Sequence, residues 1–226
     1  LAVVGLMAAV SWFWGSLPSA LALSGIATLL ATYVVLAAGA GAGAMNSGRA
    51  RAVFLVFCLA WLIAGMSNAL VAIVQVFAPD WTDGLWIARS ALPGRAVGNL
   101  RQPNHVCTLL LWAAIAAVVL VESRSLHLRV AAPVLAVLGL ALVLTASRSA
   151  VVGVGLLALW GALDRRLSRV SRLLLVAMPV LYALAWAGVA AWAGATHETF
   201  GGQQRLAEAD LSASRFRIWS DTWQLI

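Results

Sequence analysis

Three groups of residues have the types and spacing to hold an anion. The first is Thr145-Ala146-Ser147-Arg148-Ser149, where an arginine stands between two serines. Arg148 is the only charged residue between Arg129 and Asp164, inside a run of 34 residues from Val130 to Leu163 that is otherwise almost wholly apolar. An ionisable side chain held by apolar flanks is a functional candidate in its own right, and a guanidinium forks naturally onto phosphate or carboxylate. The second group is Leu92–Asn104, in which Pro93, Gly94 and Gly98 break regular structure and Arg95, Asn99, Arg101, Gln102 and Asn104 crowd many hydrogen-bond donors ahead of an apolar segment. Pro103 with Asn104 beside it marks a helix entry. The third is Ser212–Trp219, where helical spacing sets Arg215 and Trp219 on one face, Arg217 lies between them, and Phe216, Trp219 and Trp223 form an apolar stripe suited to a membrane surface.

Other chemistries lack their signatures. There is no nucleophile elbow, dinucleotide fingerprint or phosphate loop, and His105, His127 and His197 have no metal-ligand spacing, so no metal and no cofactor are expected. His105 is the nearest thing to a catalytic base, and a weak one. Asp80 and Asp83 fit loop solvation better than an acid/base pair. Cys58 and Cys107 both fall in apolar runs and fit small core residues.

The elements that must position these residues are membrane helices. The chain is 63% hydrophobic and 10% charged, with a mean hydropathy of +0.95. That excludes an ordinary soluble domain. Seven apolar segments predict an all-α polytopic bundle of about seven spans: Leu1–Trp14, Ala20–Gly39, Ala52–Phe77, Val106–Val121, Val130–Ala146, Ala150–Leu163 and Leu173–Ala193. As one helix, Val130–Leu163 would reach about 50 Å, too long for a ~30 Å hydrocarbon core. Two short spans folded back at Arg148 solve this. Gly39–Gly48 reads as a span end and turn or a close helix-packing face. Leu1 is not Met and the chain stops in an amphipathic stretch, so the sequence reads as a piece of a longer protein. A single membrane domain is expected, with N-terminal spans and a first outer loop over residues 1–104, and core spans leading into a large loop over residues 105–226.

All 15 basic residues are arginine. A pI of 11.2 raises the question of nucleic acid, but the arginines are scattered over short loops and form no basic helix, so no nucleic-acid partner is expected. The loop Asp164–Arg172 holds four arginines, Arg165, Arg166, Arg169 and Arg172, and is the best cytoplasmic candidate. The opposite face then carries residues 80–104, the Arg148 turn and the tail from Thr196. Arginines on that face run against the positive-inside bias, and an anionic ligand would account for them.

Gly98-Asn-Leu-Arg-Gln-Pro-Asn-His105 at a span entry, Leu144-Thr-Ala-Ser-Arg-Ser-Ala150 at a short turn and Ser214-Arg-Phe-Arg-Ile-Trp219 occur in that order. Over roughly Arg95 to Ile226 the chain resembles the O-antigen ligase/polymerase superfamily of bacterial inner-membrane glycosyltransferases, most closely its protein O-oligosaccharyltransferase branch. The resemblance implies transfer of a glycan from an undecaprenyl pyrophosphate carrier to an acceptor hydroxyl on the periplasmic face. The acceptor would be a protein Ser/Thr, or alternatively the lipid A core or a growing O-antigen chain. It also implies membrane lipids as partners and needs no cofactor. By the resemblance Arg148 matches the first pyrophosphate-gripping arginine and Arg215 the second, with Arg217 as its competitor. Gln102 and Asn104 match the Q-P-N block, and Arg95 and Arg101 belong to the same substrate-binding set. The histidine base of such enzymes has no match before Ile226, so this stretch alone is expected to be inactive. Competing expectations are a transporter or flippase of a lipid-linked or anionic substrate, and a structural membrane subunit. Against the transporter stand the lack of inverted repeats and the place of Arg148 at a turn rather than mid-span.

Overall fold

The computed structural model describes residues 19–203 and 220–223. Among them it is all-helical: α1 (Ser19–Gly43), α2 (Ser47–Phe77), a 3-10 turn (Pro79–Trp81), α3 (Pro103–Glu122), α4 (Leu128–Leu144), α5 (Arg148–Leu163) and α6 (Arg169–Thr196). Six of the seven expected apolar segments are thus helices. The first, Leu1–Trp14, lies outside the described residues, as do Arg205, Arg215 and Arg217. Among the described residues four helices, α1, α2, α3 and α6, are long and apolar enough to cross a membrane. The expected count of about seven is somewhat higher than this: α4 and α5 have only 17 and 16 residues, and Leu1–Trp14 is not among the described residues.

The chain divides into two compact units, Leu1–Val56 and Phe57–Ile226. In the first, α1 carries no charge and its described side chains are mostly exposed, among them Leu30, Tyr33, Val34 and Val35. Apolar side chains exposed all round a helix need lipid as their solvent. The turn Ala44–Asn46 ends α1, and the Asn46 side chain accepts from the Arg49 N–H at 3.0 Å, starting α2.

In the second unit α3, α4, α5 and α6 pack together, α6 lying against all three others. Their shared core includes Leu110, Ala114, Leu135, Leu138, Leu142, Leu175 and Met178, all essentially inaccessible. Residues 57–77 of α2 divide into two faces. Gly65, Ala69 and Ala72 are buried, and a Cβ on Gly65 would lie 2.3 Å from that of Ala113, so a small residue sets that contact. The other face exposes Leu59, Ile63, Leu70 and Phe77.

Side-chain bonds show which loops share an end of this unit. At one end Glu122, closing α3, accepts from the Ser168 N–H at 3.1 Å and from the Ser171 hydroxyl at 2.6 Å, joining the loops that follow α3 and α5. Arg172 donates to the carbonyls of Gly161 and Ala162, satisfying the last turn of α5. Asp164 accepts from the Arg166 N–H and from the Trp160 indole, and these two bonds, the Arg166 one foremost, hold its carboxyl below the ordinary value of 3.8. At the other end the loop between α2 and α3 meets the α4–α5 turn and the segment after α6.

Helix length then sets depth. At ~1.5 Å per residue α5 spans about 24 Å, whereas α6 spans about 42 Å. The α4–α5 turn comes level with Tyr182 and Trp186, which line a common cleft with it. α6 continues roughly 15 Å past Trp186 before ending at Thr196. The turn therefore lies in a recess below the C-terminal end of α6, where two other segments return to it. Phe200 stacks edge-on against Trp186 with ring centroids 5.5 Å apart, and Ala96 donates its N–H to the Leu144 carbonyl at 2.8 Å.

Candidate functional site

The recess begins with a turn that cannot satisfy itself. α4 ends at Leu144 with Thr145 as its C-cap, and α5 begins two residues later with Ser147 as its N-cap. Helix ends leave carbonyl and N–H groups unsatisfied, and in an apolar setting each must find a partner. The carbonyl side is met by the α2–α3 loop. Leu144 accepts from Ala96, and the Thr145 carbonyl accepts from Arg95 Nε at 2.8 Å, which also sets a cation at the negative end of α4. Thr145 turns its own hydroxyl back to the Leu142 carbonyl.

The N–H side is treated differently. Ser147 has the extended backbone of an N-cap (φ −90°, ψ 130°) but makes no side-chain capping bond. Its hydroxyl donates instead to Asn104 Oδ1 on α3, at 2.8 Å. Asn104 is set there by its own helix entry: Gln102 is the N-cap of α3, and its Oε1 accepts from the N–H groups of Asn104 at 2.5 Å and His105 at 3.1 Å, with Pro103 in the first turn. The Q-P-N stretch is thus one device, in which Gln102 starts the helix, Pro103 fixes its first turn and Asn104 reaches across to the Arg148 turn.

Arg148 is the first residue of α5 and is exposed. It borders a cleft of about 80 Å3 lined by Val143, Ala146, Ser147, Arg148, Val151, Tyr182, Trp186 and Gly202. Among the described residues the lining includes one arginine and two hydroxyl-bearing residues, Ser147 and Tyr182, and no carboxylate, and the remaining walls are carbon-rich. That combination suits an anionic group joined to an apolar body.

The loop beside the turn is rigidly held. Gln75, buried on α2, uses both ends of its amide: Oε1 accepts from Val97 and Gly98 at 2.9 and 2.8 Å, and Nε2 donates to Ala88 and Gly98 at 2.6 and 3.3 Å. Asn68, seven residues earlier, accepts from the Asn99 N–H. Asn99 in turn accepts from Ala88 and donates to Trp86. Gly94 has φ +62°, and a Cβ there would lie 2.0 Å from the Thr199 carbonyl oxygen, so only glycine lets the loop meet the segment after α6. The Gly94 carbonyl accepts from Gly201 there.

Of the residues expected from sequence, Arg95, Gln102, Asn104 and Arg148 are brought to one junction. Arg101 is not: exposed, with a left-handed backbone (φ 55°), it donates to the Gly84 carbonyl at 3.2 Å on the far part of the loop. His105 is exposed in the first turn of α3, His127 is the N-cap of α4, and His197 is the left-handed C-cap of α6. Gln75, Asn68, Tyr182 and Trp186 were missed. Two polar residues seven apart in an apolar helix, and an i,i+4 aromatic pair in another, were the signals available for them.

A sequence model described as a protein glycosylation ligase matches residues 96–121. The match begins in the loop that bonds to the Arg148 turn and runs through Gln102, Asn104 and nearly all of α3. It supports glycan transfer in general, by a membrane-embedded ligase. No curated protein and no solved structure matches the chain.

Proposed function

We propose that the protein transfers a glycan from undecaprenyl pyrophosphate to a Ser or Thr hydroxyl of an acceptor protein, at the periplasmic face of the bacterial inner membrane. The observation that carries this reading is the bond between Asn104, inside the stretch matched to a glycosylation ligase, and Ser147, which adjoins Arg148 in the cleft. A cleft whose described lining holds a guanidinium and no carboxylate, opening among apolar side chains, fits a diphosphate attached to a polyprenyl chain. The four arginines of Asp164–Arg172 favour the cytoplasm for the opposite end, which supports a cleft on the periplasmic side.

In the reaction the acceptor oxygen forms a bond to the anomeric carbon, the bond from that carbon to the phosphate oxygen breaks, and the diphosphate departs with the electron pair. A base removes the hydroxyl proton; the described residues supply no assigned group for this. Arg148 stabilises the charge gathering on the leaving diphosphate, its planar fork matching a pair of phosphate oxygens. We assign Arg148 to the carrier's phosphates, with Arg215 or Arg217 as a second cation. Arg95, Gln102 and Asn104 shape the junction from their own bonds.

The test is transfer in proteoliposomes charged with undecaprenyl-pyrophosphate glycan and a Ser/Thr acceptor peptide. Glycopeptide formation that disappears in Arg148→Ala at unchanged protein level supports the reading; full transfer by that variant overturns it.

A further inference from the structure

The loop between α2 and α3 ends in a tip that holds its large apolar side chains open, with the Asp80 carboxyl exposed beside Trp81. Trp81 is 74% exposed, Leu85 83% and Trp86 79%, the most exposed apolar side chains of this loop. Large apolar side chains this open usually sit on mobile chain, but this tip is tied at every turn. Asp83 Oδ1 accepts from the N–H groups of Leu85, Trp86 and Ile87 at 2.9, 2.8 and 2.9 Å. Arg89 Nε donates to the Thr82 carbonyl at 2.9 Å, and Arg101 to that of Gly84. Asn99 holds the Trp86 carbonyl at 2.8 Å. One carboxylate and two guanidinium groups are thus turned onto the backbone of the loop, while two indoles and a leucine point away from it.

The patch follows an exposed apolar stripe on a helix long and apolar enough to span. Ile63, Leu70 and Phe77 recur at seven-residue spacing on the exposed side of α2, one of the helices long enough to span. Phe77 ends that stripe and packs edge-on against Trp192 near the end of α6, centroids 4.6 Å apart. Trp81 follows four residues later. Indole rings at the end of a span belong at the level of the headgroups, where the ring is in carbon and its N–H is wet. Leu85 between the two tryptophans favours lipid over a sugar ring, since an aliphatic tip offers a sugar no stacking face.

We infer that residues 79–87 form a membrane-interface anchor, with Trp81, Leu85 and Trp86 seated in the headgroup layer of the leaflet nearest the Arg148 cleft. The anchor fixes the height of the loop, and through Ala96 and Arg95 it fixes the α4–α5 turn relative to the bilayer surface. This inference does not depend on the chemistry proposed for the cleft.

The test is a nitroxide at Leu85→Cys, and separately at Trp86→Cys, in protein reconstituted into phosphatidylethanolamine–phosphatidylglycerol vesicles. Both native cysteines are buried, so wild-type protein treated with the same reagent serves as the blank. Ser125→Cys, in the short loop after α3, is the aqueous reference. The expected result is collision with oxygen well above that reference, together with several-fold exclusion of a water-soluble nickel chelate. Nickel access equal to that at Ser125→Cys would overturn the inference. So would shielding from both reagents, which means that protein covers the tip, and so would shielding that arises only when acceptor peptide or lipid-linked glycan is added.

Discussion

Ser147 gives its hydroxyl proton to Asn104 Oδ1 at 2.8 Å, joining two helices through residues 43 apart in sequence. An N-cap serine ordinarily turns its oxygen to its own helix, where the bond is worth about 1 kcal/mol. Here that local bond is given up for a long-range one beside Arg148. Asn104→Ala should therefore leave the buried Ser147 without its acceptor, at a cost of about 1–3 kcal/mol. Thermal unfolding in micelles should show the loss, and glycan transfer should fall with it. Asn104→Asp keeps an oxygen in place and should recover most of the stability. Equal damage from both substitutions would show that the acceptor oxygen is not what matters.

Gln75 is the second polar residue that the structure makes essential. Gln75→Leu is close in size but removes both acceptor and donor, stranding the N–H groups of Val97 and Gly98 in a buried setting. The expected loss is on the order of 3 kcal/mol. It should be local: faster hydrogen exchange and protease cleavage over residues 88–99, with the buried core of α3 to α6 still protected. Unchanged protection in the loop would mean that its fold rests on other bonds.

The fold was more legible in the sequence than the work of its polar residues. Hydropathy located each described span, but its limits stopped short wherever a charge intervened. The segment expected at Ala52–Phe77 is a helix from Ser47, and that expected at Leu173–Ala193 runs from Arg169 to Thr196. A hydropathy reading ends at an arginine, whereas a helix goes on until its backbone bonds fail. The fold-back at Arg148 was readable because 34 residues cannot cross once as a single helix. The loop's internal bonds are less legible. Arg95, Arg101, Asn99 and Gln102 look like ligand donors in sequence, and the structure turns them to N–H and carbonyl groups of the chain itself. Those partners are main-chain atoms, up to 50 residues away, so no side chain in the sequence betrays them. Tyr182 and Trp186 were hidden because they face the recess only if α6 outreaches the α4–α5 turn, which follows from relative helix lengths and not from either residue.

Arg148 separates binding from stability. It is exposed and begins its helix, so truncation should change stability by no more than about 0.5 kcal/mol. Arg148→Ala should nonetheless abolish transfer. Arg148→Lys keeps the charge but replaces a planar fork with a point charge, and should restore only a minor part of the activity. The measurement is initial rate against donor concentration, with membrane level checked by immunoblot. Near wild-type rates for the lysine variant would mean that charge alone suffices and that the fork geometry carries nothing.

Asp83 gives the tip of the α2–α3 loop an acid limit. The N–H of Ile87, foremost, and those of Leu85 and Trp86 bond its carboxylate and hold its pKa below the ordinary 3.8, outweighing a desolvation push in the other direction. A carboxyl whose folded-state pKa is lowered contributes its stabilisation in full above the unfolded value. That contribution is lost as pH falls through the lowered folded-state value. The tip should therefore keep its order from neutral pH down to about 4 and loosen only in stronger acid. Asp83→Asn retains an oxygen acceptor but cannot titrate, so its loop should start weaker and lose this acid dependence. Spin-label mobility at Leu85→Cys, followed from pH 7 to pH 3 with and without Asp83→Asn, checks both halves. Loosening at pH 5 to 6 in the aspartate form, or an identical acid transition in the asparagine form, would assign the tip's order to some other group.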